Sequence, residues 1–93
     1  MKAIWNGAVL AESDSTVEVE NNQYFPPDTI NEEYFEKSEK TYQCEWKGKA
    51  RYYHIVVDGE RNENAAWTYP DPTPEAQHIA KYFAFWNGVE VKE

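Results

Sequence analysis

Thr41-Tyr42-Gln43-Cys44-Glu45-Trp46-Lys47-Gly48-Lys49-Ala50-Arg51-Tyr52-Tyr53 is the stretch that decides the fold. Strand-like runs flank Lys47-Gly48, and they predict a hairpin of strands over 41–46 and 50–57. Asp58-Gly59 predicts a second tight turn, because both residues tolerate positive φ. It leads into a third strand across 63–69, Glu63-Asn64-Ala65-Ala66-Trp67-Thr68-Tyr69, which Pro70-Asp71-Pro72-Thr73-Pro74 breaks. Three consecutive strands joined by short turns make the centre of the chain an antiparallel sheet.

The flanks continue the pattern. Ala3-Ile4-Trp5-Asn6-Gly7-Ala8-Val9-Leu10 and Ala84-Phe85-Trp86-Asn87-Gly88-Val89-Glu90-Val91 each read as apolar strand, Asn-Gly, apolar strand. They predict two similar hairpins lying in one sheet. Thr16-Val17-Glu18-Val19-Glu20 alternates, so one face is buried and the other is wet. Asn21-Asn22 is a turn, and Gln23-Tyr24-Phe25 is a short strand stopped by Pro26-Pro27. Thr29-Ile30-Asn31-Glu32 has the spacing of a capping box and predicts a short helix over 30–36. Thr73 as cap with Pro74 at the first helical position predicts a second helix over 74–81. The sum is a mainly β fold: a small antiparallel sandwich or open barrel of seven to eight short strands with two short helices.

Length and composition bound the rest. Ninety-three residues predict a single domain spanning 1–93. A chain of this size buries roughly 60–65% of its surface on folding. Fifteen Phe, Trp and Tyr residues supply the large side chains that such a thin core needs. The net charge is −8, from 17 acids and 9 bases. That balance argues against nucleic acid and against an anionic membrane surface as partners. One cysteine leaves no intramolecular disulfide, and the two histidines have no H-x-x-x-H or H-x-H spacing. No metal and no cofactor are therefore expected. The chain has no signal-peptide pattern and no apolar run of spanning length, so a cytoplasmic location is expected.

The residue types that could form a site crowd into the two central runs. Cys44, Trp46, Lys47, Arg51 and Tyr53 lie in the first, and Glu63, Asn64, Trp67 and Tyr69 in the second. The neighbour of Cys44 depends on the register. A two-residue loop at Lys47-Gly48 puts Arg51 beside Cys44, where its charge would favour the thiolate. A three-residue loop over 47–49 puts Tyr52 there, leaving the thiol a small hydrophobe. Strict alternation places Glu63, Ala65, Trp67 and Tyr69 on one face. Two alanines in a strand fit a place where something packs closely over the sheet: another segment of the chain, or a ligand in a pocket walled by Trp67 and Tyr69. There is no phosphate-binding loop, no paired aspartates and no nucleophile elbow.

Asn6-Gly7, Tyr24-Phe25-Pro26-Pro27, Cys44-Glu45-Trp46-Lys47-Gly48-Lys49-Ala50-Arg51-Tyr52-Tyr53, Asn64-Ala65-Ala66-Trp67-Thr68-Tyr69-Pro70 and Ala84-Phe85 together resemble the bacterial family called domain of unknown function 427. One departure is Glu45, which stands where the family pattern usually has proline. The resemblance implies a compact, mainly β domain, and the family sometimes carries a nucleotidyltransferase label.

Three functions follow as expectations. The first is small-molecule binding in an aromatic-lined pocket. The second is a protein-interaction or structural module, through a protein partner or a homodimer, without catalysis. The third is a nucleotidyltransferase-like enzyme.

Overall fold

In the computed structural model, which describes residues 1–93, the central region forms a four-stranded antiparallel sheet. Its strands are β5 (Phe35–Cys44), β6 (Gly48–Val57), β7 (Glu60–Thr68) and β8 (Phe83–Phe85), in that spatial order. Asp58 and Gly59 turn between β6 and β7 with φ of 51° and 80°, and Val57 pairs with Glu60. A three-stranded sheet, ordered β2-β1-β9, holds β1 (Lys2–Trp5), β2 (Ala8–Glu12) and β9 (Glu90–Lys92). A two-stranded ribbon joins β3 (Val17–Val19) to β4 (Asn22–Tyr24). The mainly β fold is as expected, with nine strands, and no sheet closes into a barrel.

Two details of the expectation are corrected. The helices are only 3-10 turns, at Pro27–Thr29, Glu32–Tyr34 and Pro74–Ile79. The capping box fails because Ile30 is tied to Ala11 in a β-bridge and the Asn31 amide donates to the Leu10 carbonyl at 2.8 Å. Pairing with β2 holds this segment extended, and the Thr29 hydroxyl turns back to the Pro26 carbonyl at 2.7 Å. Phe35 then enters β5 directly.

The second correction concerns the terminal hairpins. Asn6-Gly7 does connect β1 to β2, with φ of 51° and 79°. Asn87-Gly88 has the same positive φ pair, 55° and 92°, but β8 and β9 do not pair with each other. Both edges of β8 are already taken. Trp67 and its neighbours in β7 occupy one, and Phe25 exchanges two backbone hydrogen bonds with Phe83 on the other, at 2.8 and 2.9 Å. The chain therefore crosses to the other sheet, where β9 pairs with β1.

Alternation along the strands feeds two cores on opposite faces of the central sheet. Phe25, Ile55, Val57, Ala66, Phe83 and Phe85 pack with Ala3, Leu10 and Ala11 of the three-stranded sheet. Tyr24, Ala50, Tyr69 and Ala84 pack on the other side with Ala76 and Ile79 of the last 3-10 turn, and Val17 and Val19 of the ribbon close against them. The close packing over the two alanines is thus supplied by the chain itself, for Ala65 and Ala66 are both fully buried.

Two bulges break the regular ladder. Between the pairs Lys37–Tyr53 and Thr41–Arg51, Tyr52 alone faces Ser38 to Lys40. Between Tyr53–Ala66 and Ile55–Asn62, His54 alone faces Glu63 to Ala65. In the second bulge Asn64 adopts φ of 55°, and its amide donates to His54 Nδ1 at 3.0 Å.

Candidate functional site

The β5–β6 loop decides where the first run of candidate residues goes. Neither expected register occurs. The loop is Glu45-Trp46-Lys47, and Cys44 pairs with Gly48, Gln43 with Lys49 and Thr41 with Arg51. Gly48 fixes this choice in two ways. Its φ is +105°, and a Cβ there would lie 3.3 Å from the Pro72 Cα. The glycine lets the Asp71–Thr73 segment lie directly on the hairpin. Thr73 then clamps the loop, its hydroxyl donating to the Trp46 carbonyl and its amide to the Lys47 carbonyl.

This folding buries Lys47, which is only 6% exposed. Its ammonium lies 5.4 Å from the centre of the Trp46 ring and 5.3 Å from that of Tyr69. It donates to Glu20 Oε1, and the Trp46 indole donates to Glu20 Oε2 at 3.4 Å. Burial works against the charge on Lys47, but the Glu20 hydrogen bond and the nearby Tyr24 and Tyr69 side chains raise its pKa above the ordinary 10.5. The hydrogen bond from Lys47 lowers the pKa of Glu20, with burial opposing. Burial, partly offset by the Lys47 charge, pushes the Tyr69 hydroxyl up to about 12. Such a lysine stays protonated, and its charge is spent on its own cage of rings.

Cys44, Trp46 and Trp67 join this same cluster, half-buried against Tyr24, Ala50 and Tyr69. The Trp67 indole donates to the Tyr24 hydroxyl at 3.2 Å, and the two rings meet edge to face. None of Cys44, Trp46, Lys47, Trp67 or Tyr69 lines a surface cleft. No general base stands beside Cys44 to activate it as a nucleophile, for neither His54 nor Glu63 reaches it. His54 lies six residues along β6 from Gly48, about 20 Å at the usual strand rise. Glu63 is turned away by the β7 bulge, which undoes the alternation expected across 63–69, and it lines an exposed depression with Glu36, Arg61 and Asn87. The Asn64 side chain accepts a hydrogen bond from the Ser38 hydroxyl at 2.5 Å.

Arg51 and Tyr53 point to the opposite face of the central sheet, and there the structure opens. A cleft of about 520 Å³ is lined by Phe35, Tyr53, Thr68, Phe83, Lys37 and Lys81 among others. A second concavity of about 460 Å³ shares Lys37, Tyr53, Thr68 and Pro70 with it and adds Ser38, Arg51 and Tyr52. Phe35, Tyr53 and Phe83 form one wall, in edge-to-face contacts with centroids 5.2 to 6.3 Å apart. Thr68 is 4% exposed, and its hydroxyl is buried with no hydrogen-bond partner. An orphaned buried hydroxyl is uncommon enough in native proteins to need a reason.

Sequence reading therefore finds two of the cleft residues, Arg51 and Tyr53, and misses Phe35, Lys37, Thr68, Lys81 and Phe83. The cleft has one carboxylate, Glu32. No three His, Cys, Asp or Glu side chains come close enough to share a metal ion.

The family model described as domain of unknown function (DUF427) matches residues 1–93, the whole chain. A search of curated proteins finds no match.

Proposed function

We propose that this chain, which belongs to the domain of unknown function 427 family, is a small-molecule-binding domain whose site is the cleft over Tyr53 and Thr68. The observation that carries the reading is the cleft of about 520 Å³ with its wall of Phe35, Tyr53 and Phe83 rings. The cleft volume also falls within the usual ~300–1,000 Å³ of small-molecule sites. A lone Glu32 favours binding over nucleotidyl transfer, which rests on close pairs of acids.

The test is a nitrogen-15 NMR titration with a panel of small aromatic and aliphatic metabolites. The expected result is that one compound class shifts the amides of Phe35, Tyr53, Thr68 and Phe83 together. A compound class that instead shifts the Trp46 and Trp67 indoles and leaves these amides in place would move the site to the other face and overturn the assignment.

A further inference from the structure

The cleft runs against the electrostatics of the rest of the molecule. The chain carries 17 acids and 9 bases. Yet the two joined concavities are lined by Lys37, Arg51 and Lys81, with Glu32 as the single acid. All three cations are exposed, and none has a carboxylate within ion-pair distance. Elsewhere the bases are more often engaged: Lys2, Lys47, Arg61 and Lys92 each pair with a glutamate. In a chain with almost twice as many acids as bases, three unpaired cations along two adjoining concavities, with Lys37 common to both, are a local reversal of sign.

The three come from different parts of the fold. Lys37 precedes the β5 bulge and pairs across the ladder with Tyr53. Arg51 stands on β6 opposite Thr68 of β7. Lys81 follows the last 3-10 turn in a left-handed conformation, φ 67°, and its amide donates to the Tyr69 carbonyl at 3.0 Å. The backbone at each position is therefore fixed by the sheet or by a hydrogen bond, while the charged ends stay free. Below them lie the Phe35, Tyr53 and Phe83 rings and the unpartnered Thr68 hydroxyl.

On the reading that the cleft is a binding site, we infer that its occupant is a small anionic molecule with an apolar body. The carboxylate or phosphate group meets Lys37, Arg51 and Lys81, and the apolar part lies on the Phe35–Tyr53–Phe83 wall. Low-dielectric walls and cations without counter-charges concentrate an anion there even though the protein as a whole repels it. Arginine adds a planar fork suited to either anionic group.

The experiment uses the nitrogen-15-labelled chain titrated with phenyl phosphate, benzoate, inorganic phosphate and neutral benzyl alcohol at low and high salt. Phenyl phosphate or benzoate is expected to bind more tightly than either benzyl alcohol or inorganic phosphate, shifting the Tyr53, Thr68 and Lys81 amides. The binding weakens with salt, since exposed charges are screened. Each of Lys37→Gln, Arg51→Gln and Lys81→Gln, all surface changes, should weaken it about two- to fivefold. Which of phenyl phosphate and benzoate binds more tightly separates phosphate from carboxylate ligands. Benzyl alcohol binding as tightly as the anions, or anion binding untouched by all three substitutions together, would overturn the anionic class and leave the cleft standing as a site. Inorganic phosphate matching phenyl phosphate would overturn the apolar body. Silence of the cleft amides towards all four probes would overturn the inference and the site together.

Discussion

The ammonium of Lys47 donates to the carboxylate of Glu20, 27 residues earlier in the chain, while it lies over the rings of both Trp46 and Tyr69. Glu20 occupies the turn of the β3–β4 ribbon with φ of 52°, a conformation that favours glycine or asparagine. From there its side chain takes the Lys47 ammonium and the Trp46 indole. Glu20→Gln keeps the shape and removes the counter-charge from a buried lysine. The expected loss is about 1–3 kcal/mol by urea denaturation. The double variant Glu20→Gln, Lys47→Met should recover part of it, because the uncompensated charge is gone.

The same cluster sets a pH dependence at both ends. Glu20 has its folded pKa below the ordinary 4.5, so its contribution is present above that value and is lost as pH falls through the folded one. Tyr69 is the reverse case. Its hydroxyl is raised from 10.0 to about 12, so the neutral form stabilises the fold fully below pH 10 and that contribution declines between pH 10 and 12. Lys47, raised above 10.5, keeps its proton through most of this range, and its pairing likewise fails only as pH climbs through its folded value. Urea midpoints should drop below pH 4.5 and again above pH 10. Tyr69→Phe should flatten the alkaline part, and tyrosinate absorbance should show its phenol among the last to ionise.

Gly48 is where two segments meet. Gly48→Ala forces a Cβ to within 3.3 Å of the Pro72 Cα at a φ of +105°. The expected cost is about 1–3 kcal/mol, read as a lower melting temperature.

Thr68→Val exchanges the orphaned hydroxyl for a methyl group of similar shape. Burial without a partner is unfavourable, so this variant should be more stable than the parent by about 1 kcal/mol. Parent-like stability would mean that the hydroxyl finds a partner in solution, such as water.

Trp67 has a half-buried ring wedged against Tyr24 and Tyr52. Trp67→Ala should cost about 3 kcal/mol, the low end for a large aromatic residue. Trp67→Phe keeps most of the ring contact but leaves the Tyr24 hydroxyl without its donor, a smaller loss of about 1 kcal/mol.

Turn chemistry carried the sequence reading where one strand pair was local. Asp58-Gly59 and Asn6-Gly7 are hairpin turns because positive φ at both residues suffices to define them. The same dipeptide misled at Asn87-Gly88, where the outcome depended on Phe25 having filled the free edge of β8. The loop at 45–47 was illegible for a related reason. Gly48 could serve several loop lengths, and the contact that selects one comes from Pro72 and Thr73. Bulges opposite Tyr52 and His54 add residues without any sequence signal and break the alternation on which face assignments rest. Arg51 and Tyr53 could be named because they lie in a dense run. Lys37, Thr68 and Lys81 could not, because only tertiary folding gathers them from strands and a turn far apart in sequence.

The bulge at Ser38 to Lys40 also bears on what this protein does in crowded solution. β5 is ten residues long and lies at the rim of its sheet, with one row of backbone donors and acceptors facing outward. A straight rim of that length is a template on which copies can stack into fibres. Here three residues crowd opposite one, the rim bends, and Glu36, Lys37, Glu39 and Lys40 set charges of both signs along it. The kink divides the rim into two short pieces, neither of which offers a long run for an incoming strand. Irregular geometry at this strand thus shortens the edge open to an incoming strand, and deleting two residues of the bulge should raise light scattering at high protein concentration.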